Sequence, residues 1–352
     1  MMAKGDRNSG WPGFFRTFTV LCAIILLLSQ RFQELAEAGS GSRQTLFVYE
    51  GLTLWTVPAL FMLWGMFALE EDKPQVSSAL TGLVLPTLCL LVFWGMVYAV
   101  ASPLLEGKCG DFTLGGLLDI LTLVIRGDTY RHLWVLYPLI GLYLIHPVLH
   151  RFTSAATQGE LRYFLGLCFL FGSLLPVWTA LWPDSIAAGL LTRLRVHLVS
   201  GCWIGCYVGG WYLRHYTISR ISEYILYLLG VLGLALSVLS SSEAFPAPAP
   251  LRQYGAPNVL LTAAALCTLF RYVLGISEER SRRRAVSGLG TCAFGVYLIH
   301  PLWMIVFDRL GVSPLSFSPA LSVPLFALVF FLLSLPLAWI ISLIPRVGPR
   351  LT

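Results

Sequence analysis

Apolar residues fall in long blocks separated by short polar intervals. Ten such runs stand near 14–32, 51–69, 80–101, 131–149, 161–181, 196–213, 222–240, 257–275, 286–307 and 320–345. A helix needs about 20 apolar residues, each rising about 1.5 Å, to cross a bilayer, and each run comes close to that length. The pattern predicts an all-α membrane protein, a polytopic bundle of about ten transmembrane helices forming one domain over residues 1–352. Pro324 and Pro336 lie inside the last run and predict a tilted or kinked helix. Two connections stand out. Segment 102–130 contains an apolar stretch, Phe112 to Ile125, that is too short to span and is broken by Asp119. It reads as a re-entrant or interfacial piece. Segment 241–256, rich in Pro and Ala, reads as an extended loop.

Composition removes the soluble alternatives. Apolar residues make up 57% of the chain, charged residues 12%, and mean hydropathy is +0.75. The formal charge of +6 is spread over many short loops, so it reads as a topology signal and not as a nucleic-acid footprint. With an even number of spans and the N-terminus inside, 15 of the 24 Lys and Arg face the cytoplasm. This predicts cytoplasmic termini and a multi-pass protein of the plasma (bacterial inner) membrane, whose constant partner is the lipid bilayer. The basic run Ser281 to Arg284 anchors that topology, and no cleavable signal peptide is expected. Of eight cysteines all but Cys109 lie in apolar runs, which implies no disulfide framework. Cys202 and Cys206 are one helical turn apart, but no further ligand stands at metal spacing, so they read as small apolar filler.

Candidate chemistry concentrates on histidine. Three of the six histidines, His132, His146 and His150, lie on the single segment Gly127 to Arg151. On an α-helix they share a face, with His132 and His150 about 27 Å apart near opposite surfaces. The string Tyr-Leu-Ile-His-Pro occurs at 143–147 and again at 297–301. Ionisable groups at membrane depth are costly and mark functional candidates by default. The plainer reading is that each histidine preceding a proline bonds a carbonyl whose partner the proline has removed. His300 is expected to lie nearer His132 than His146 does.

These segments resemble a known family. His132-Leu-Trp-Val-Leu-Tyr-Pro-Leu-Ile-Gly-Leu-Tyr143 is similar to a His-Leu-Trp-Phe-Leu-Tyr segment of the integral-membrane acyltransferase 3 family. Phe294-Gly-Val-Tyr-Leu-Ile-His-Pro-Leu302 resembles its late signature. Thr56-Val-Pro-Ala-Leu-Phe-Met-Leu-Trp-Gly65 resembles its second-span pattern. The resemblance implies transfer of a short acyl group, commonly acetyl, from acyl-CoA (acetyl-CoA) as co-substrate to a hydroxyl of a carbohydrate or lipid-linked glycan. No bound cofactor is implied. Such a transfer needs a base, for which histidine is suited, and cations to hold the CoA phosphates. His132 and His300 are the catalytic candidates. Arg16, Arg126 and Arg131 are candidate anion holders, and Trp134, Tyr137 and Tyr297 candidate substrate contacts.

Two departures keep a second reading open. The family's first span carries Arg, ten residues, then His; Arg16 fits, but Leu27 stands where the histidine belongs. A basic cluster normally follows the second span, whereas Glu70-Glu-Asp-Lys-Pro here carries three acids and one cation, a loop that would repel phosphate. Under the second reading the chain is a non-catalytic relative, a membrane partner or translocation factor in glycan assembly.

Overall fold

The computed structural model describes residues 10–70, 75–105, 114–127, 130–194, 202–243, 245, 248–275 and 284–344. Cys109, the acids at 71–72, Lys73 and residues 281–283 of the basic run lie outside the described residues. In chain order the helices are α1 (Trp11–Gln33), α2 (Gly41–Thr53), α3 (Thr56–Ala68), α4 (Val76–Ala101), α5 (Leu114–Arg126), α6 (Arg131–Ala155) and α7 (Gln158–Leu181). There follow α8 (Ile186–Leu194), α9 (Cys202–His215), α10 (Arg220–Ser241), α11 (Pro257–Tyr272), α12 (Arg284–Arg309) and α13 (Pro319–Ser342). Among the described residues there is no strand, and the chain is an all-α membrane protein. Each predicted run overlaps a described helix. Eight helical segments, α2 and α3 counting as one, are long and apolar enough to cross a membrane. In the other two runs, α9 has 14 described residues and α11 has 16.

Prolines decide where helices change pitch. Pro58 has no N–H for the carbonyl of Leu54, and the chain turns at Leu54 and Trp55 between α2 and α3. Pro86 and Pro176 each follow a π-helical turn, Leu80–Val84 in α4 and Leu170–Leu174 in α7. In both turns the residue before the proline donates to the carbonyl five back, as Leu85 does to Leu80 and Leu175 to Leu170. α13 runs helical through both Pro324 and Pro336.

The chain forms two compact units, Met1–Asp72 with Val148–Gly290, and Lys73–Pro147 with Thr291–Thr352. In the first, small residues let helices meet backbone to backbone. A Cβ on Gly65 of α3 would stand 1.8 Å from the Tyr207 carbonyl oxygen of α9, and one on Gly210 of α9 would stand 2.0 Å from the Met62 oxygen of α3. The pair of glycines therefore locks α3 to α9, the close approach that replaces hydrophobic driving force in lipid. Cys202 and Cys206 join Cys168, Leu165 and Met62 around an apolar cavity of about 200 Å³.

The second span begins earlier than its apolar run, at Gly41, where Ser40 caps the helix by accepting from Arg43 N–H at 3.2 Å. Its first three turns are polar because they are paired. Gln30 and Gln33 of α1 donate to the Glu50 carboxylate at 2.9 and 3.1 Å, and Gln30 also donates to the Tyr254 hydroxyl at 3.0 Å. Gln44 donates to Ser242 at 3.0 Å, and Arg43 pairs with Glu243 at 2.8 Å.

In the second unit, α5 lies where a short interfacial piece was expected. It packs on α4 through Val124, whose Cγ2 would come within 2.7 Å of a Cβ on Gly95. Leu118, Leu121 and Leu123 of α5 are exposed. Gly127 closes the helix at φ 81°, a left-handed conformation that favours glycine, and the Tyr137 hydroxyl donates to the Val124 carbonyl. Phe307 of α12 packs edge-on against Phe326 and Phe330 of α13.

Candidate functional site

The candidate catalytic residues come together inside the second unit. The rings of His132 and His300 stand 5.9 Å apart, nearly perpendicular, and both residues are essentially inaccessible, at 1% and 0% exposure. The expected juxtaposition of these two histidines is observed; it does not by itself give them a role. Around His132 stand Tyr98 at 4.9 Å, Tyr130 at 5.4 Å and Tyr297 at 5.6 Å, all edge-on. Tyr98 and Tyr130 stack on each other at 4.7 Å.

Local backbone chemistry fixes each histidine. Pro138 removes the N–H that would close an α-turn on Trp134, and residues Arg131–Val135 form a 3-10 turn, with Leu133 N–H bonded to Tyr130 O at 3.0 Å. His132 therefore leaves the 100° wheel that aligned it with His146 and His150, and a straight α-helix does not describe this end of the span. The Tyr297 hydroxyl then holds the His132 carbonyl at 2.9 Å.

His300 is held by the proline after it. Pro301 cannot bond the carbonyl four residues back, that of Tyr297, and His300 Nδ1 lies 2.7 Å from that same oxygen. A carbonyl oxygen only accepts, so Nδ1 carries the proton and the neutral ring keeps its lone pair on Nε2. The plainer reading of a His-Pro pair is thus observed on one nitrogen, and it leaves the other as an acceptor. Among the described residues, His300 Nε2, both ring nitrogens of His132 and Trp303 Nε1 are buried without a hydrogen-bonding partner. Each such atom costs about 1–3 kcal/mol, and three of these four belong to the two imidazoles that stand 5.9 Å apart.

The other candidates are placed as follows. Arg126, at the end of α5, and Arg131, at the start of α6, are exposed; Trp134 is half-buried beside His132 in sequence. Tyr137 is committed to Val124, and Tyr297 to the His132 carbonyl. Arg16 belongs to the other unit, where its guanidinium lies 4.3 Å over Phe67 and donates to Gly290 O at 3.4 Å. Leu27 is half-buried, and Gln30, one turn on, belongs to the Glu50 cluster. His146 and His150 are buried, with His150 Nδ1 3.3 Å from Ser154 Oγ. The sequence reading singled out neither Tyr98 nor Glu50. A tyrosine within an apolar run gives no signal by itself, but a carboxylate bordering a span does.

Fold and site define a polytopic helical membrane protein with a buried imidazole pair inside one unit. The chain belongs to the acyltransferase 3 family: the family's model, described as an acyltransferase domain, matches residues 8–343. No curated protein and no solved structure matches it.

Proposed function

We propose that this protein transfers a short acyl group, acetyl in the simplest case, from acyl-CoA on the cytoplasmic side to a hydroxyl of a cell-envelope carbohydrate or lipid-linked glycan. Family membership supports the reaction class. The observation that carries the site assignment is His300 Nε2, buried with no hydrogen-bonding partner among the described residues, on a ring fixed through Nδ1. In this reading Nε2 takes the acceptor hydroxyl's proton while that oxygen attacks the thioester carbonyl. The carbon–sulfur bond breaks, and the departing CoA thiolate recovers the proton from the imidazolium. His132, 5.9 Å away, is the second polar contact for the reacting groups.

Leu27 favours the second reading, a non-catalytic partner in glycan assembly, because a leucine neither accepts a proton nor carries an acyl group. Mass spectrometry of envelope glycans from cells with and without the protein separates the two. Acyl groups present only with the protein are expected. Identical glycans, together with no acyl-CoA binding by the purified protein, would leave the non-catalytic reading standing.

A further inference from the structure

The proposed reaction employs the two imidazoles, yet α12 and α13 hold two further buried polar atoms. Trp303 Nε1 and Ser334 Oγ are each without a hydrogen-bonding partner among the described residues. A helical serine commonly donates to the carbonyl one turn behind it, as Ser29 does to Ile25 at 2.8 Å and Ser237 to Gly233 at 2.9 Å. Ser334 is fully buried and makes no such bond.

Helix geometry sets the two atoms at one depth. α12 and α13 are consecutive spans joined by the short connection 310–318, so they run in opposite directions. They meet where the Phe307 and Phe330 rings pack edge-on, with centroids 5.2 Å apart. Trp303 lies four residues before Phe307, and Ser334 four residues after Phe330. Each therefore stands about 6 Å from that contact, on the side away from the connection. His300 lies three residues further along α12, on the stripe that carries Trp303 and Phe307. On α13, Phe326, Phe330 and Ser334 recur at four-residue spacing and share a face in the same way.

We propose that the Trp303 indole N–H and the Ser334 hydroxyl form the oxyanion hole of the acyl transfer. They hold the thioester carbonyl oxygen while His300 Nε2 takes the proton of the attacking hydroxyl. The assignment rests on the acyltransferase reading of His300. The groups present are those the step needs: an indole only donates, a hydroxyl can donate, and the imidazole nitrogen not engaged with the Tyr297 carbonyl accepts. As the new carbon–oxygen bond forms, the π pair of the carbonyl moves onto its oxygen, where each donor meets a lone pair. As the carbon–sulfur bond breaks, that pair returns to the carbonyl, and the CoA thiolate leaves with the proton from His300. Donors with no partner of their own give up no hydrogen bond to meet the developing charge, and buried surroundings strengthen the interaction.

The test is single-turnover transfer from acetyl-CoA by the full-length protein in lipid discs. Membrane vesicles from host cells lacking the protein supply the acceptor. The variants are W303F, S334A and S334T. W303F and S334A each delete one donor and are expected to slow the chemical step by about 10²–10³-fold, with the KM for acetyl-CoA unchanged because the contact is made in the transition state. S334T keeps the hydroxyl and should keep most of the rate. W303F and S334A should also melt level with wild type or slightly above it, since each removes a polar atom that has no partner. Full transfer by either W303F or S334A overturns the two-donor hole; if His300→Ala still loses transfer, the acyltransferase reading stands without it. A raised KM with an unchanged rate, or a melting temperature well below wild type in both variants, assigns the two side chains to binding or packing and overturns the proposal. Wild-type protein that neither binds nor consumes acetyl-CoA removes the acyltransferase reading and the oxyanion hole with it.

Discussion

Two polar clusters lie within helices of this protein, and they are built on opposite principles. In the first unit the Glu50 carboxylate accepts from Gln30 and Gln33, and Gln30 also reaches Tyr254, so the polar atoms of three segments satisfy one another. In the second unit His132 and His300 are walled by tyrosine rings, and three of their four ring nitrogens meet no hydrogen-bonding partner among the described residues. A satisfied network ties helices together and gains stability from doing so. An unsatisfied one loses stability, and persists where selection acts on something other than stability. The first cluster therefore reads as a fastening and the second as a site.

The largest expected effect falls on the second cluster. His300→Ala removes the proposed base and should lower acyl transfer by about 10²–10⁴-fold. CoA binding should persist, because the substitution removes no cation. The readout is single-turnover transfer beside a CoA titration. Full transfer by the variant would reduce His300 to a helix fastening for the carbonyl that Pro301 leaves open.

At Glu50 the expected loss is of stability. Glu50→Leu strands the amides of Gln30 and Gln33 and should cost about 1–3 kcal/mol. Glu50→Gln keeps an acceptor oxygen between them and should cost less. Thermal unfolding in detergent measures both, and transfer by Glu50→Gln should stay near wild type. A Glu50→Gln variant that unfolds normally yet loses transfer would move the first cluster into the chemistry and collapse the contrast.

How much of this was legible in the sequence differs along the same lines. The spans were legible because bilayer thickness imposes a length that apolar runs must meet; each of the ten runs overlaps a described helix, and eight helical segments are long and apolar enough to cross. The first turns of the second span were not, because Gln44 and Glu50 read as loop polarity until their partners on α1 and at Ser242 are known. The His132–His300 pair was legible as two motifs and an antiparallel arrangement. The 3-10 turn at Arg131–Val135 was not anticipated, although Pro138 stands four residues beyond Trp134 and gives the signal. Tyr98, whose hydroxyl bonds the Leu298 carbonyl, and Arg214, brought to Phe67 by glycine contacts, depend on long-range packing that no local pattern encodes.

The smallest expected effect makes the sharpest test because its sign is unusual. Most substitutions of a fully buried residue destabilise. His132 carries two polar nitrogens with no partner among the described residues and sits in a wall of aromatic rings. Its backbone carbonyl, which Tyr297 holds, survives any side-chain change. His132→Phe keeps a planar ring for the edge-on contacts and deletes the unsatisfied atoms. Removing such a penalty offsets the slight gain in volume, so the melting temperature should stay level or rise, within about 1 kcal/mol of wild type. Transfer should fall in the same protein. If His132→Phe instead melts well below wild type, its nitrogens are satisfied in the membrane and the second cluster is a fastening like the first. A rise in stability with transfer intact would show that His132 is not needed for the reaction and leave His300 as the sole candidate of the pair.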